Sequence, residues 1–387
     1  MLKQFSTAIA LALRTIPNRR GASLVIVISM ACAVGALVSI QSLSAGFNRM
    51  IHNNGRPDRA MVMSRNSIFE GASSVPKDNV NTIADAPGVK HDADGKPVLS
   101  ADAMISFAVT KKSDGLETFL NLRGVGPGGM TLRPEIHLVS GRMFRPGKYE
   151  VIVGKSAATE FNGLTEGMRV SLPDGDWTIV GTFEAGGSSL DSTLLTDADT
   201  LLASTRSTTY KSVRVMLDTP ADFTRFKNAL TSNPSLTVDV TRETDYNAQQ
   251  ARQLNILLNL IAGVVGGIMG LGAMFGALNT MYSAVSARAI EIATLRAIGF
   301  GGMAVMASVL VEALVLALAG SLIGAGFAWT VFNGNLHAIG GTVINLAVTP
   351  GLIVNGVLFA CFLGFVGGFF PALRAARRPV ADALRAN

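Results

Sequence analysis

Residues 21–48, 253–287 and 313–373 carry no charged side chain. A helix crossing a bilayer needs about 20 predominantly apolar residues. The first run has room for one such helix, and the second for one plus extra turns. The third is too long for a single helix and contains Asn333-Gly-Asn-Leu-His-Ala-Ile-Gly-Gly-Thr, a turn-rich interruption that divides it into two. Four spans follow. Uncharged runs of this length cannot be hidden in the core of a soluble enzyme. Only 16% of the 387 residues are charged, against roughly 25% in an average soluble domain, and most of those fall between 49 and 252.

Orientation follows from Lys and Arg near the span ends. Lys3, Arg14, Arg19 and Arg20 precede span one, Arg288 and Arg296 lie between spans two and three, and Arg374, Arg377, Arg378 and Arg385 follow span four. The segment between spans three and four has neither Lys nor Arg. Both termini and segment 284–302 are therefore expected in the cytoplasm, and the block 49–252 on the opposite side. The net charge of +6 reflects basic residues at membrane edges, where anionic lipid attracts them, and does not point to nucleic acid. Leu2, Phe5, Ile9, Leu13 and Ile16 recur at helical spacing, as in an amphipathic helix lying on the inner leaflet.

The expected fold class is an α-helical membrane protein with four transmembrane helices and a large α/β extracytoplasmic domain between helices 1 and 2. The divisions are a cytoplasmic helix (1–20), TM1 (21–48), the external domain (49–252) and TM2 with its stalk (253–283). A cytoplasmic coupling segment (284–302), TM3 (303–332), an external loop (333–350), TM4 (351–373) and a cytoplasmic tail (374–387) follow. Within the external block, strand–helix–strand patterns at 55–125 and 206–242 suggest one α/β part closed from two distant pieces. The glycine-punctuated stretch 126–205 reads as a β-rich insert.

Chemistry-bearing patterns are sparse. His52, His91, His137 and His337 have no metal-ligand spacing, and Cys32 and Cys361 both fall in spans. No Walker A pattern or dinucleotide fingerprint follows a strand. Asp174-Gly175-Asp176 reads as a hairpin turn. The chain is expected to hold no metal or cofactor and to catalyse nothing by itself.

Three features remain. Gly266, Gly270, Ala273, Ala277, Thr280 and Ala284 alternate at spacings of four and three on span two, a stripe that permits close helix approach. It is read as a dimer seam, with packing inside the chain as the alternative. Glu312 is the one charge well inside a span, and a structural pairing with Arg288 or Arg296 is preferred to a proton or substrate role. From Glu243 the chain can run as one helix into span two. Gln250 lies in this stalk, and 245–260 contain neither Gly nor Pro.

The C-terminal third resembles the permease superfamily of the macrolide exporter MacB, the lipoprotein-release permeases LolC and LolE, and the division protein FtsX. The matching residues are Arg288, Glu291, Ile292, Leu295, Arg296, Ala297 and Gly299, then Glu312, Gly320 and Gly324. Pro371, Ala372, Ala375, Pro379, Leu384 and Arg385 continue the match. The external block resembles the MacB type in Ser140-Gly141-Arg142-x-Phe144 and in Gly167, Val170, Trp177, Val180 and Gly181.

The resemblance implies a half-transporter of the type VII ABC class. A second permease copy, identical or paralogous, and a cytoplasmic ABC ATPase carrying ATP and Mg would complete it. With about 20 residues before span one, a fused ATPase domain is not expected. Arg288, Glu291, Ile292, Leu295, Arg296 and Gly299 would form the ATPase-coupling helix, with Ile292, Leu295 and Gly299 as its apolar docking strip. An export machine of the bacterial inner membrane, working with a periplasmic membrane-fusion-type adaptor, is the leading expectation. Lipoprotein or lipid extraction, and signalling to a cell-wall hydrolase, are the alternatives.

Overall fold

A computed structural model describes residues 20–52, 55–172, 175–334, 336–339 and 342–377. The amphipathic helix expected before residue 20, Asp174 of the expected turn, and the tail with Arg378, Pro379, Leu384 and Arg385 lie outside the described residues.

The first helix, α1, spans Arg20–His52. The chain then forms β1 (Arg59–Ser64), β2 (Val75–Pro76), α2 (Asn79–Ala84), β3 (Leu99–Thr110) and β4 (Glu117–Val125). Next come β5 (His137–Gly141), β6 (Glu150–Gly154), α3 (Lys155–Glu160), β7 (Arg169–Leu172) and β8 (Gly175–Glu184). These are followed by β9 (Thr193–Asp197), α4 (Ala198–Thr205), β10 (Thr209–Tyr210), β11 (Ser212–Met216), α5 (Phe223–Thr231) and β12 (Val238–Arg242). The remainder is α6 (Glu243–Ala287), α7 (Ala289–Ala297), α8 (Gly302–Phe332), β13 (Leu336–Ile339), β14 (Thr342–Asn345) and α9 (Pro350–Arg377). These elements form two compact units, one helical and one α/β.

In the helical unit, α1, α6, α8 and α9 are each long and apolar enough to cross a membrane. Lipid removes most of the hydrophobic drive between helices, so close van der Waals packing decides how they associate. Glycines supply it. A Cβ on Gly324 of α8 would lie 2.3 Å from the Ala31 carbonyl oxygen of α1, and one on Gly320 would lie 2.6 Å from that of Val27. On α9, Gly364 and Gly368 face Ala317 and Ala313 of α8 in the same manner, each with a would-be Cβ 2.7 Å from the alanine Cβ.

The α/β unit is organised by a ten-stranded sheet in the order β12-β1-β11-β3-β4-β9-β6-β8-β5, with β7 paired to β8. Strands β5 to β9 come from the glycine-punctuated insert. They do not form a sheet of their own: β9 adds in parallel to β4, with Leu122 opposite Leu194, so pairing satisfies an edge that would otherwise be open. β7 and β8 pair antiparallel, with Leu172 opposite Gly175.

The two faces of the sheet differ sharply. Ala60, Val62, Ala103, Leu122, Val213, Val215 and Val240 share one face and pack into the main core with Phe226 and Leu230 of α5. The alternate residues of the same strands include Arg59, Asp102, Arg123 and Arg214, and strand alternation puts them all on the opposite face. The segment between α8 and α9, expected to be a loop, contains the β13–β14 hairpin. This hairpin belongs to the α/β unit, and Val343 joins the main core.

Candidate functional site

α7 is the short helix between two apolar ones, and Arg288 stands at its N-cap. The Arg288 Nε and Nη2 donate to the two carboxylate oxygens of Glu291, each at 2.9 Å. Its Nη1 reaches Glu312 Oε2 of α8 at 3.4 Å. Glu312 is buried, and a carboxylate at such depth requires an opposite charge or hydrogen bonds. The guanidinium is planar with several fixed donors, so it serves both acids at once. Arg288 thus braces α7 against α8.

The apolar strip expected on α7 is partly covered within the chain. Ile292 packs against the interior of the helical unit, next to the buried Ala293. Leu295 is half-buried. The large apolar side chains left open are Ile290, 56% exposed, and Ile298, 72% exposed. Thr294 and Ala297 are exposed on the same short segment. Gly299, at φ +102°, closes the segment and is exposed. Ile292 is therefore partly occupied inside the chain, Leu295 is half-exposed, and Ile290 and Ile298 are the large apolar side chains left most open on this segment. Spacing identified an amphipathic helix but not which side the bundle covers. Arg296, half-buried, stays near the end of the helix.

Of the two readings of the small-residue stripe on span two, packing inside the chain is the one these contacts match. A Cβ on Gly270 would lie 2.9 Å from the Phe359 ring of α9, and one on Gly266 would lie 3.2 Å from Leu37 of α1. Ala273 and Ala277 are buried in the helical core, and Ala277 faces Gly367 of α9. All four residues pack within the chain. Small residues mark where a backbone approaches closely, and here the approaching backbones belong to the same molecule. The exposed face of α6 carries Val264, Ile268, Leu271 and Phe275.

The stalk residues Glu243 and Gln250 belong to α6, a continuous helix of 45 residues. Glu243 lies 3.3 Å from Arg59 Nη1 and 3.4 Å from Arg214 Nε. These arginines belong to a buried network on the polar face of the sheet. Arg123 bonds both oxygens of Glu70, at 2.6 and 2.8 Å, and reaches Asp102 at 3.0 Å. Arg133 and Arg214 also pair with Asp102, and Arg59 faces Glu135 at 3.7 Å. Ser212 donates to Glu70 at 2.6 Å.

Four guanidiniums, Arg59, Arg123, Arg133 and Arg214, thus meet four carboxylates, Glu70, Asp102, Glu135 and Glu243. Burial alone would raise the pKa of Glu70, but Arg123 and Arg214 hold it well below the ordinary carboxylate value. Asp102 is likewise lowered, its burial outweighed by Arg133, Arg214 and Arg123. Both acids remain ionised, as a charge-balanced network requires.

None of these partners except Glu243 was singled out from the sequence. The signal was present as charges at mid-strand positions, Asp102 between two alanines and Arg214 between two valines. Alternation by itself assigns such positions to solvent.

Residues 23–233 match the MacB-like periplasmic core domain. Residues 263–380 match the FtsX-like permease C-terminal domain. The chain is an ABC transporter permease of the MacB, LolC and FtsX type. The FtsX-like part contains Arg288, Glu291 and Glu312, and the MacB-like part contains the buried network except Glu243.

The lipoprotein-releasing system transmembrane protein LolC of Xylella fastidiosa is 24% identical over 424 aligned residues, covering 98% of each chain. The macrolide export ATP-binding/permease protein MacB of Nitrobacter winogradskyi is 36% identical over 135 residues, covering 35% of this chain and 20% of that protein. This permease therefore spans only about a fifth of the MacB proteins it matches. The periplasmic region of MacB from Actinobacillus actinomycetemcomitans is similar over 53% of this chain and 97% of that one, with 15% identity and a TM-score of 0.39.

Proposed function

We propose that this permease couples ATP hydrolysis by a separate cytoplasmic ABC ATPase to movement of its periplasmic domain, driving export in a tripartite efflux-type system. The observation that carries this reading is α7. It is a short helix braced through Arg288 to Glu312, presenting Ile290 and Ile298 to the surroundings. Small apolar surfaces of this kind fit a groove on a partner. ATP and Mg would be bound by that partner, and this chain would contribute no catalytic group. The Lys and Arg distribution supports an inner-membrane location with both termini and α7 in the cytoplasm. A second permease copy would complete the transporter, and a membrane-fusion-type adaptor would receive the periplasmic domain.

Release of lipoproteins from the membrane is a second reading. It is favoured by the alignment with LolC, which runs over 98% of both chains.

Docking is tested by co-purifying the ATPase with the permease. The double variant Ile290→Arg, Ile298→Arg should lose at least 10-fold of the captured ATPase while still inserting into the membrane. Full retention would overturn the docking face. A strain lacking the permease separates the two readings. Export predicts increased susceptibility to macrolides, whereas lipoprotein release predicts lipoproteins accumulating in the inner membrane.

A further inference from the structure

The first two turns of α6 are bonded into the α/β unit from several directions. Glu243 meets Arg59 at 3.3 Å and Arg214 at 3.4 Å. One turn on, the Tyr246 hydroxyl accepts the backbone N–H of Glu70 at 2.9 Å. The Tyr246 ring is buried against Met61 and Met63 of β1. After another turn, Gln250 Nε2 donates to the same hydroxyl. Beyond it Arg252 and Gln253 are exposed.

The arginines that hold Glu243 cannot move independently. Arg214 also pairs with Glu70 at 3.1 Å and with Asp102, so its guanidinium is fixed by three acids on different elements. A surface ion pair would be too weak and too easily screened to fix a helix direction. A buried and charge-balanced network is different. Displacing Glu243 would leave the buried Arg59 with only the 3.7 Å contact to Glu135 and would take one of three carboxylates from Arg214, so the native geometry is strongly preferred.

We propose that Glu243 and Tyr246 are positioning residues that make the first two turns of α6 part of the α/β domain, through Arg59, Arg214 and the Glu70 backbone. Displacement of α6 is then delivered to the sheet at these residues, and the helix cannot swivel where it leaves β12. The functional consequence rests on the coupling reading above. The geometry does not, and it is measured separately.

The test uses the full chain in lipid nanodiscs, without ATPase or nucleotide, with Cys32→Ser and Cys361→Ser. Spin labels are placed at Thr224 and Gln249, both exposed. The parent should give one narrow distance. The double variant Glu243→Gln, Tyr246→Phe should at least double the width of that distribution, with a cooperative thermal transition preserved. Arg142→Gln, which removes a surface ion pair with Glu150, should leave it narrow.

A narrow distance in the double variant would overturn the proposal, and a lowered melting temperature with that narrow distance would assign the network to stability alone. If the double variant does not fold, Tyr246→Phe alone is read by the same criterion. Because no transport is measured, loss of the export reading leaves this result intact.

Discussion

Ser192 and Val343 exchange two hydrogen bonds. The Ser192 Oγ donates to the Val343 carbonyl at 3.1 Å and accepts from the Val343 N–H at 2.9 Å. Both residues are buried, and they fasten the β13–β14 hairpin to the α/β core. A single hydroxyl thus satisfies both backbone groups of a residue that lies far away in sequence.

Ser192→Ala leaves that N–H and that carbonyl buried without a partner. Each orphaned group costs about 1–3 kcal/mol, and local rearrangement recovers part of it. The expected loss is about 1–3 kcal/mol overall, seen as a lower thermal midpoint of the full chain in detergent. Accelerated proteolysis within 336–345 should accompany it. An unchanged midpoint and cleavage pattern would show that the hairpin is held by Val343 packing alone.

Two glycine substitutions should differ sharply in effect. Gly324→Ala drives a methyl to 2.3 Å from the Ala31 carbonyl oxygen. Backbone cannot yield as a flexible side chain does, so α1 and α8 must separate, at a cost of about 1–3 kcal/mol. Gly263 of α6 has nothing within 4 Å of the same position. Gly263→Ala should be neutral or stabilising by up to about 1 kcal/mol, because alanine is the better helix former. Denaturation in mixed detergent micelles measures both, and equal effects would contradict the packing of α1 on α8.

Glu150 sets an acid limit. The Arg142 guanidinium bonds both its oxygens, at 2.6 and 2.7 Å, and the Arg145 N–H adds a third bond at 3.0 Å. The hydrogen bond from Arg142 is the main cause that lowers its pKa from 4.5 to about 2. A carboxylate whose folded pKa is depressed stabilises the fold fully above its unfolded pKa. That contribution falls as pH drops below 4.5 and is gone below about 2. Glu150→Gln should therefore flatten the stability–pH curve in this window and change it little in shape near neutrality. Arg142 is substantially exposed, so salt should shrink the difference. Identical acid limbs for parent and variant would rule the pair out.

Membrane architecture was legible because the bilayer imposes a simple length and polarity rule. Uncharged runs give spans without reference to any neighbour, and α1, α6, α8 and α9 follow. The α/β character of the block between the first two spans was legible from its strand–helix–strand patterns and its glycine-punctuated β-type runs, and the short helix α7 from its charges. The pairing of Glu312 with Arg288 was one of two options the sequence offered.

Tertiary structure alone decided which partner each face meets. Gly270, Ala273 and Ala277 have the pattern of a close-approach face, but only the fold shows that α9 occupies it. Ile292 and Ile290 are equally apolar in one dimension, and packing against the bundle partly buries the first and leaves the second open. Arg214 and Asp102 sit on strand positions that alternation assigns to solvent. The Glu70 turn and the first turns of α6 cover them, turning ordinary surface charges into a buried network. Periodicity is a property of one segment. Burial is a property of two, and the second segment can lie more than a hundred residues away, as Glu243 does from Asp102.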